Sequence, residues 1–76
     1  MPKIVSGKVV IKILCKEFGF LFISQKGSHV KLRKIVSNRK ITTIVPVHKE
    51  LSSGTLRGVL DLAEIDFEEF LRNIKK

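Results

Sequence analysis

Apolar and polar positions follow a helical rhythm at both ends of the chain and an alternating rhythm between them. In GKVVIKILCKEFG, residues 7–19, apolar side chains recur at the spacing of one helix face. That stripe consists of Val9, Val10, Ile13 and Leu14. Ser6 stands before it as an N-cap and Gly19 suits the left-handed stop after it. The pattern predicts a first helix that begins after Ser6.

From Phe20 onward the rhythm changes to aromatic and β-branched residues. Three such runs, FLFISQ, HVKLRKIV and ITTIVPV, are separated by KGS and SNRK, which suit tight turns. They predict a three-stranded antiparallel meander. In the second run Val30 and Leu32 share one side, whereas His29, Lys31 and Arg33 share the other, because side chains alternate across a sheet. Pro46 has no backbone N–H, so the third strand lacks one donor of the hydrogen bonds between strands. This indicates an edge position.

The last third of the chain is helical again. Ser52 or Ser53 can cap GTLRGVLDLAEI, whose apolar residues have i, i+3, i+4, i+7 spacing. Asp66 and Glu69 then have the spacing of a capping box for a short third helix that runs toward Ile74. Helices that cover one face of a small sheet make a two-layer α+β domain. The expected architecture is that of double-stranded-RNA-binding domains, with the other face of the sheet left open.

Length and charge narrow the classes of function. With 76 residues, the chain fits one domain over residues 1–76. Residues 1–50 carry eleven basic and two acidic side chains, whereas residues 51–76 carry four basic and five acidic ones. Positive charge confined to one part of a domain is typical of a protein that binds a polyanion, and RNA or DNA is the first candidate. A solvated basic face without a partner is the alternative.

Cysteine and histidine are scarce, and no long apolar run is present. One cysteine, Cys15, cannot form an internal disulfide, and two histidines lack the clustered spacing of a zinc site. We therefore expect no metal and no small-molecule cofactor. The longest apolar run has four residues, and the N-terminus lacks the apolar block of a secretory signal. The expected location is the cytoplasm, without membrane association.

The segment QKGSHVKLRK, residues 25–34, holds the candidate chemistry. The RNA 2′-hydroxyl can attack the neighbouring phosphate when a base removes its proton and cations stabilise the developing charge. An imidazole exchanges a proton near neutral pH, so His29 is a candidate base or acid. The expected RNA-binding residues around it are Lys26, Gly27, Ser28, Lys31 and Arg33. The residues alone leave open whether His29 is a catalyst or an exposed strand residue.

Four motifs in register resemble those of the HicA toxin family. SGKVVIKILCKEFGF, QKGSH, VPVHKEL and GTLRGVL have the order and spacing seen in that family, from Ser6 to about Leu71. The resemblance implies a double-stranded-RNA-binding-like fold, metal-independent cleavage of mRNA and inhibition by a HicB-type antitoxin protein. It also implies that the histidine of the glycine-serine-histidine motif, His29, is catalytic. The second family histidine matches His48, which we treat as a possible auxiliary residue.

Two hypotheses from different classes follow from the sequence. The first is an endoribonuclease toxin of a type II toxin–antitoxin pair that uses His29. The second is a non-catalytic RNA-binding module that uses the same basic sheet face. The charge pattern fits both, so cleavage by wild-type protein and by His29→Ala distinguishes them. A protein that binds only other proteins is a third and weaker alternative.

Overall fold

The computed structural model describes residues 5–74, which form three helices and one sheet. The elements in chain order are α1 (Gly7–Glu17), β1 (Leu21–Lys26), β2 (His29–Val36), β3 (Arg39–Pro46), α2 (Ser53–Ala63) and α3 (Phe67–Ile74). The three strands pair antiparallel in the order β1-β2-β3. This confirms the predicted α+β layout of a helix, a three-stranded meander and two further helices. None of the described helices is long and apolar enough to cross a membrane.

The helix ends follow the predicted caps. The Ser6 hydroxyl accepts a hydrogen bond from the amide of Val9 at 3.1 Å, and Gly19 takes a left-handed φ of 78° after α1. At α2 the cap is Ser52, whose hydroxyl accepts from the Thr55 amide at 3.1 Å. These bonds satisfy amides of each first turn that have no partner within the helix. The sequence therefore defined where both helices begin.

The core lies between the helices and one face of the sheet. Its fully buried side chains are Val10, Leu14, Phe20, Leu32, Val45, Leu60, Ala63 and Phe70. Thr43 is the buried polar residue among those described, and its hydroxyl donates to the carbonyl oxygen of Val59 at 2.7 Å. This bond fastens α2 to the centre of β3. Both α1 and α2 pack on β3, whereas every residue of β1 is exposed.

The N-terminal end of the described chain is closed by a long-range contact. Val5 forms an isolated antiparallel bridge with Leu51, and the Leu51 amide donates to the Val5 carbonyl oxygen at 2.8 Å. Next to it, the Gly7 amide donates to the carbonyl oxygen of His48 at 2.8 Å. The start of α1 is thereby joined to the segment that follows β3.

Two details of the sequence interpretation were wrong. Val9 was placed in the buried stripe of α1, but it is 41% exposed, because the face that packs on the sheet is centred on Val10 and Leu14. The turns were taken as KGS and SNRK, but Lys26 still belongs to β1 and Arg39 already belongs to β3, so the second turn consists of Ser37 and Asn38 alone. Positive φ values of 49° and 66° at these two residues give a type I′ turn, which matches the twist of the strands.

Candidate active site

His29 is the first residue of the central strand, at the end of the sheet where β1 finishes and β3 finishes. It pairs with Lys26 on β1 and with Pro46 on β3. Its side chain is exposed on the face away from the helices, because Val30, the next residue, is buried in the core. Among the described residues, the His29 side chain has no hydrogen-bond partner. Its imidazole is therefore accessible to a ligand on the open face.

A two-residue turn sets the position of His29. Gly27 has a φ of 59° and Ser28 follows it with negative φ, which is the type II′ arrangement that places glycine first. The Gln25 side-chain amide donates to the Gly27 carbonyl oxygen at 3.0 Å. The Val47 amide donates to the Ser28 carbonyl oxygen at 2.6 Å. The turn is thus held from β1 and from the segment after β3, and the backbone there is open to solvent.

Lys26 is the basic residue that pairs directly with His29 across the strands. Directly paired residues have Cβ atoms about 5 Å apart, and they project to the same face. Lys31 lies two residues along β2 on that face, about 7 Å away at the strand rise. It pairs with Ser24 and Ile44. Lys26, His29 and Lys31 therefore form a small basic group at one end of the open face.

Arg33 lies farther from His29 than the sequence interpretation assumed. It is four residues along the strand, about 13 Å away. Its Nε donates to the Thr42 hydroxyl at 3.0 Å, so its guanidinium is directed toward β3. Lys34 belongs to the opposite face, where its Nζ donates to the Phe18 carbonyl oxygen at 3.0 Å and lies 5.0 Å from the centre of the Phe20 ring. The basic run of β2 is thus divided between the two faces.

His48 follows β3 near the start of α1. A cavity of about 150 Å³ is lined there by Ser6, Lys8, Val47, His48 and Lys49. The backbones of Val47 and Ser28 are hydrogen bonded, so this cavity is close to the turn that carries His29. No hydrogen bond joins the two histidine side chains in the described part of the chain. Sequence reasoning did not place Lys8 or Lys49 with His48, because the bond between the Gly7 amide and the His48 carbonyl oxygen joins elements that are distant in the chain.

Three ionisable groups outside this end of the sheet have shifted pKa values. Arg39 and Glu64 form a bidentate pair, with nitrogen–oxygen distances of 2.8 and 3.2 Å. The hydrogen bond from Arg39 lowers the pKa of Glu64, and the same bond raises the pKa of Arg39. Burial raises the pKa of the Cys15 thiol. Within residues 5–74 there is no group of three or more histidine, cysteine or acidic side chains placed to hold a metal ion.

Comparison with known families assigns the chain. Residues 7–65 match the family model described as HicA toxin of bacterial toxin-antitoxin systems. The chain belongs to the HicA toxin family. The match begins at α1 and ends just after α2, so it includes the whole sheet and both histidines. No curated protein and no solved structure matches the chain.

Family membership identifies the chain as the toxin of a toxin–antitoxin system. Such a toxin has a partner, its antitoxin. The family model confirms the resemblance first seen in the motifs from Ser6 onward. The matched residues include His29, which is exposed on the open face of the sheet.

Proposed function

We propose that this HicA-family toxin is an endoribonuclease that cleaves mRNA, and that His29 is its catalytic residue. The observation that carries the proposal is the exposed imidazole of His29 on the open face, paired across the strands with Lys26. RNA is the substrate class because the same end of the sheet is basic and the chain has a net charge of +8. The protein acts in the cytoplasm, where mRNA is available.

The reaction needs only chemistry that this group of side chains can provide. His29 removes the proton of a 2′-hydroxyl, whose oxygen forms a bond to the adjacent phosphorus. The bond between phosphorus and the 5′ oxygen breaks, and that oxygen leaves after it takes a proton from water. The products are a 2′,3′-cyclic phosphate and a 5′-hydroxyl. Proton transfer by a positioned side chain contributes about 10² to 10⁴ in rate, and the proposed reaction does not require a metal ion.

The cations around His29 have different proposed roles. Lys26 and Lys31 are near enough to stabilise the negative charge that develops on the oxygens of the attacked phosphate. Arg33 is about 13 Å along the strand, so it contacts a neighbouring phosphate rather than the one that is cleaved. The Gly27 backbone, without a side chain, allows close approach of the RNA chain, and the Ser28 hydroxyl can donate to it. His48 is an auxiliary RNA contact beside Lys8 and Lys49.

Inhibition by a HicB-type antitoxin is part of the same proposal. An acidic partner that covers the open face would exclude RNA and neutralise the basic residues there. We expect the toxin to arrest growth when it is produced alone and to be tolerated when it is produced with this antitoxin. Growth arrest by His29→Ala as strong as that by wild type would contradict the cleavage mechanism.

The proposal is tested by RNA cleavage with purified wild type, His29→Ala and the matched histidine control His48→Ala. His29→Ala should reduce the cleavage rate by at least about 10²-fold and leave RNA affinity within about twofold, because the basic residues that set affinity remain. His48→Ala should keep most of the cleavage rate. Cleavage should persist in the presence of EDTA. The 3′ end of each upstream fragment should carry a 2′,3′-cyclic phosphate.

Two outcomes reject the proposal. The first is intact RNA after incubation with folded wild type, with and without divalent metal; binding without cleavage would then favour the RNA-binding module. The second is cleavage by His29→Ala at the wild-type rate, which would show that His29 is not the catalytic residue. Circular dichroism of each variant is the control for folding. Because both histidines are exposed, their replacement should leave the spectrum unchanged.

A further inference from the structure

The outer strand β1 is an apolar edge that nothing in the described fold covers. Leu21 is 68% exposed, Phe22 57% and Ile23 43%. The strand pairs on one side only, with β2, so alternate backbone amides and carbonyls along its outer side lack a strand partner. Exposed edge strands of this kind readily pair with a further strand. Consecutive exposed apolar residues on such an edge therefore indicate an interaction surface.

The opposite edge has the features that prevent such pairing, whereas β1 largely lacks them. β3 begins with Arg39 and Lys40 and ends at Pro46. Charge and proline are the usual means of blocking an edge. Both α1 and α2 also pack on β3. On β1 the one charged residue is Lys26, at the end of the strand.

The apolar surface continues from β1 onto β2. Ile35 is 67% exposed and lies on the same face as Leu21, since Leu21 pairs with Arg33 and Ile35 is two residues further. Phe22 pairs with the core residue Leu32 and so projects to the other face. Apolar side chains are thus exposed on both sides of this edge. A partner that covers it must offer apolar groups on both sides as well.

We infer that the β1 edge receives an extended strand of the antitoxin, with apolar side chains against Leu21 and Phe22 and carboxylates toward Lys26. The inference rests on the proposed function in one respect, that an antitoxin inhibits this toxin. Charge complementarity favours an acidic occupant, because the chain has a net charge of +8 and Lys31 lies beside the edge. An added strand here lies next to the open face that carries His29.

A second copy of the chain fits this edge less well. Two chains of net charge +8 repel each other, and this repulsion opposes pairing of β1 with itself. The edge therefore fits a specific partner of opposite charge.

The test uses the complex of the full-length toxin with its antitoxin, purified after co-expression. Amide hydrogen exchange compares free and bound toxin, and the β3 edge is the internal reference. Exchange of the β1 amides should slow by at least about tenfold on binding. Phe22→Lys should weaken antitoxin binding by at least about tenfold. The matched control is Leu62→Lys on α2. Leu62 is 56% exposed, so this substitution should change antitoxin affinity by at most about twofold.

Each other outcome overturns the inference. Equal antitoxin affinity of Phe22→Lys and Leu62→Lys, or unchanged exchange of the β1 amides, would exclude β1 as the docking edge. Concentration-dependent dimers of free toxin with protected β1 amides would make a second copy the occupant. Loss of RNA affinity in Phe22→Lys with full antitoxin affinity would make RNA the occupant. RNA cleavage by free toxin is measured separately, so failure of the proposed nuclease activity is distinguishable from failure of this inference.

Discussion

Replacement of Gly7 tests how closely α1 packs on the end of β3. Gly7 is buried, and a Cβ atom added there would overlap the Pro46 carbonyl oxygen and lie 2.9 Å from the Cα of Val47. These obstructing atoms are backbone, so no side-chain rotation relieves the overlap. The same residue donates its amide hydrogen to the His48 carbonyl oxygen. Gly7→Ala must therefore move the helix or the segment after β3.

The expected loss in the free energy of unfolding of Gly7→Ala follows from these contacts. Overpacking costs about 1–3 kcal/mol, and weakening of the hydrogen bond to His48 costs about 1 kcal/mol. The higher helix propensity of alanine returns about 0.5–1 kcal/mol. The net loss in the free energy of unfolding is about 1–3.5 kcal/mol, which for a domain of this size lowers Tm by roughly 4–28 °C. Urea denaturation and thermal unfolding monitored by circular dichroism measure both quantities.

Gly58→Ala is the matched control for this substitution. Gly58 lies in α2, and no heavy atom is within 4 Å of a Cβ added there. Alanine should therefore raise the free energy of unfolding by about 0.5–1 kcal/mol through helix propensity alone. If Gly7→Ala lies within about 0.5 kcal/mol of wild type, or if both variants lose stability equally, the close contact with Pro46 is not the reason for glycine at position 7.

Three further substitutions test other contacts of the fold. Thr43→Val keeps the side-chain volume but removes the buried bond to Val59, so urea denaturation should show a loss of about 1 kcal/mol; an unchanged midpoint would contradict a role for that bond. Ser6→Ala removes the α1 cap and should cost about 1 kcal/mol in the same assay; wild-type stability of this variant would show that the cap bond does not stabilise the helix. The Arg39 pair lowers the pKa of Glu64, so its stabilising effect is present above the ordinary carboxyl pKa and is lost as the pH falls through the lowered value. Glu64→Gln should accordingly be less stable than wild type near pH 7 and equal to it at about pH 2, and a pH-independent difference would refute this electrostatic origin.

Strand alternation predicted most of the candidate site from the sequence. It placed His29 and Lys31 together and sent Val30 and Leu32 to the core, because the side-chain period of a strand is two. It did not identify Lys26 as the basic residue paired directly with His29. That neighbour depends on register, which is fixed by the two-residue length of the turn at Gly27.

The helices were predicted better than their placement over the sheet. The spacing of apolar residues in α1 predicts one apolar face. The angle at which the helix lies on the sheet decides which of these residues are buried, and Val9 is not among them. The apolar run of β1 was read as a strand, and its exposure depends on how far α1 and α2 extend across the sheet. The exposure of Val9 and that of β1 both depend on contacts between elements that are distant in sequence. A local pattern of residues does not contain this information.

The bridge between Val5 and Leu51 has a consequence for the order in which the toxin is assembled. The two hairpins around Gly27 and Asn38 join residues that are close in sequence, so they can form while the chain is still growing. The bridge instead closes a loop that contains α1 and the whole sheet, and it cannot form before Leu51 has left the ribosome. We expect the end of the sheet around His29 to reach its final arrangement only late in synthesis.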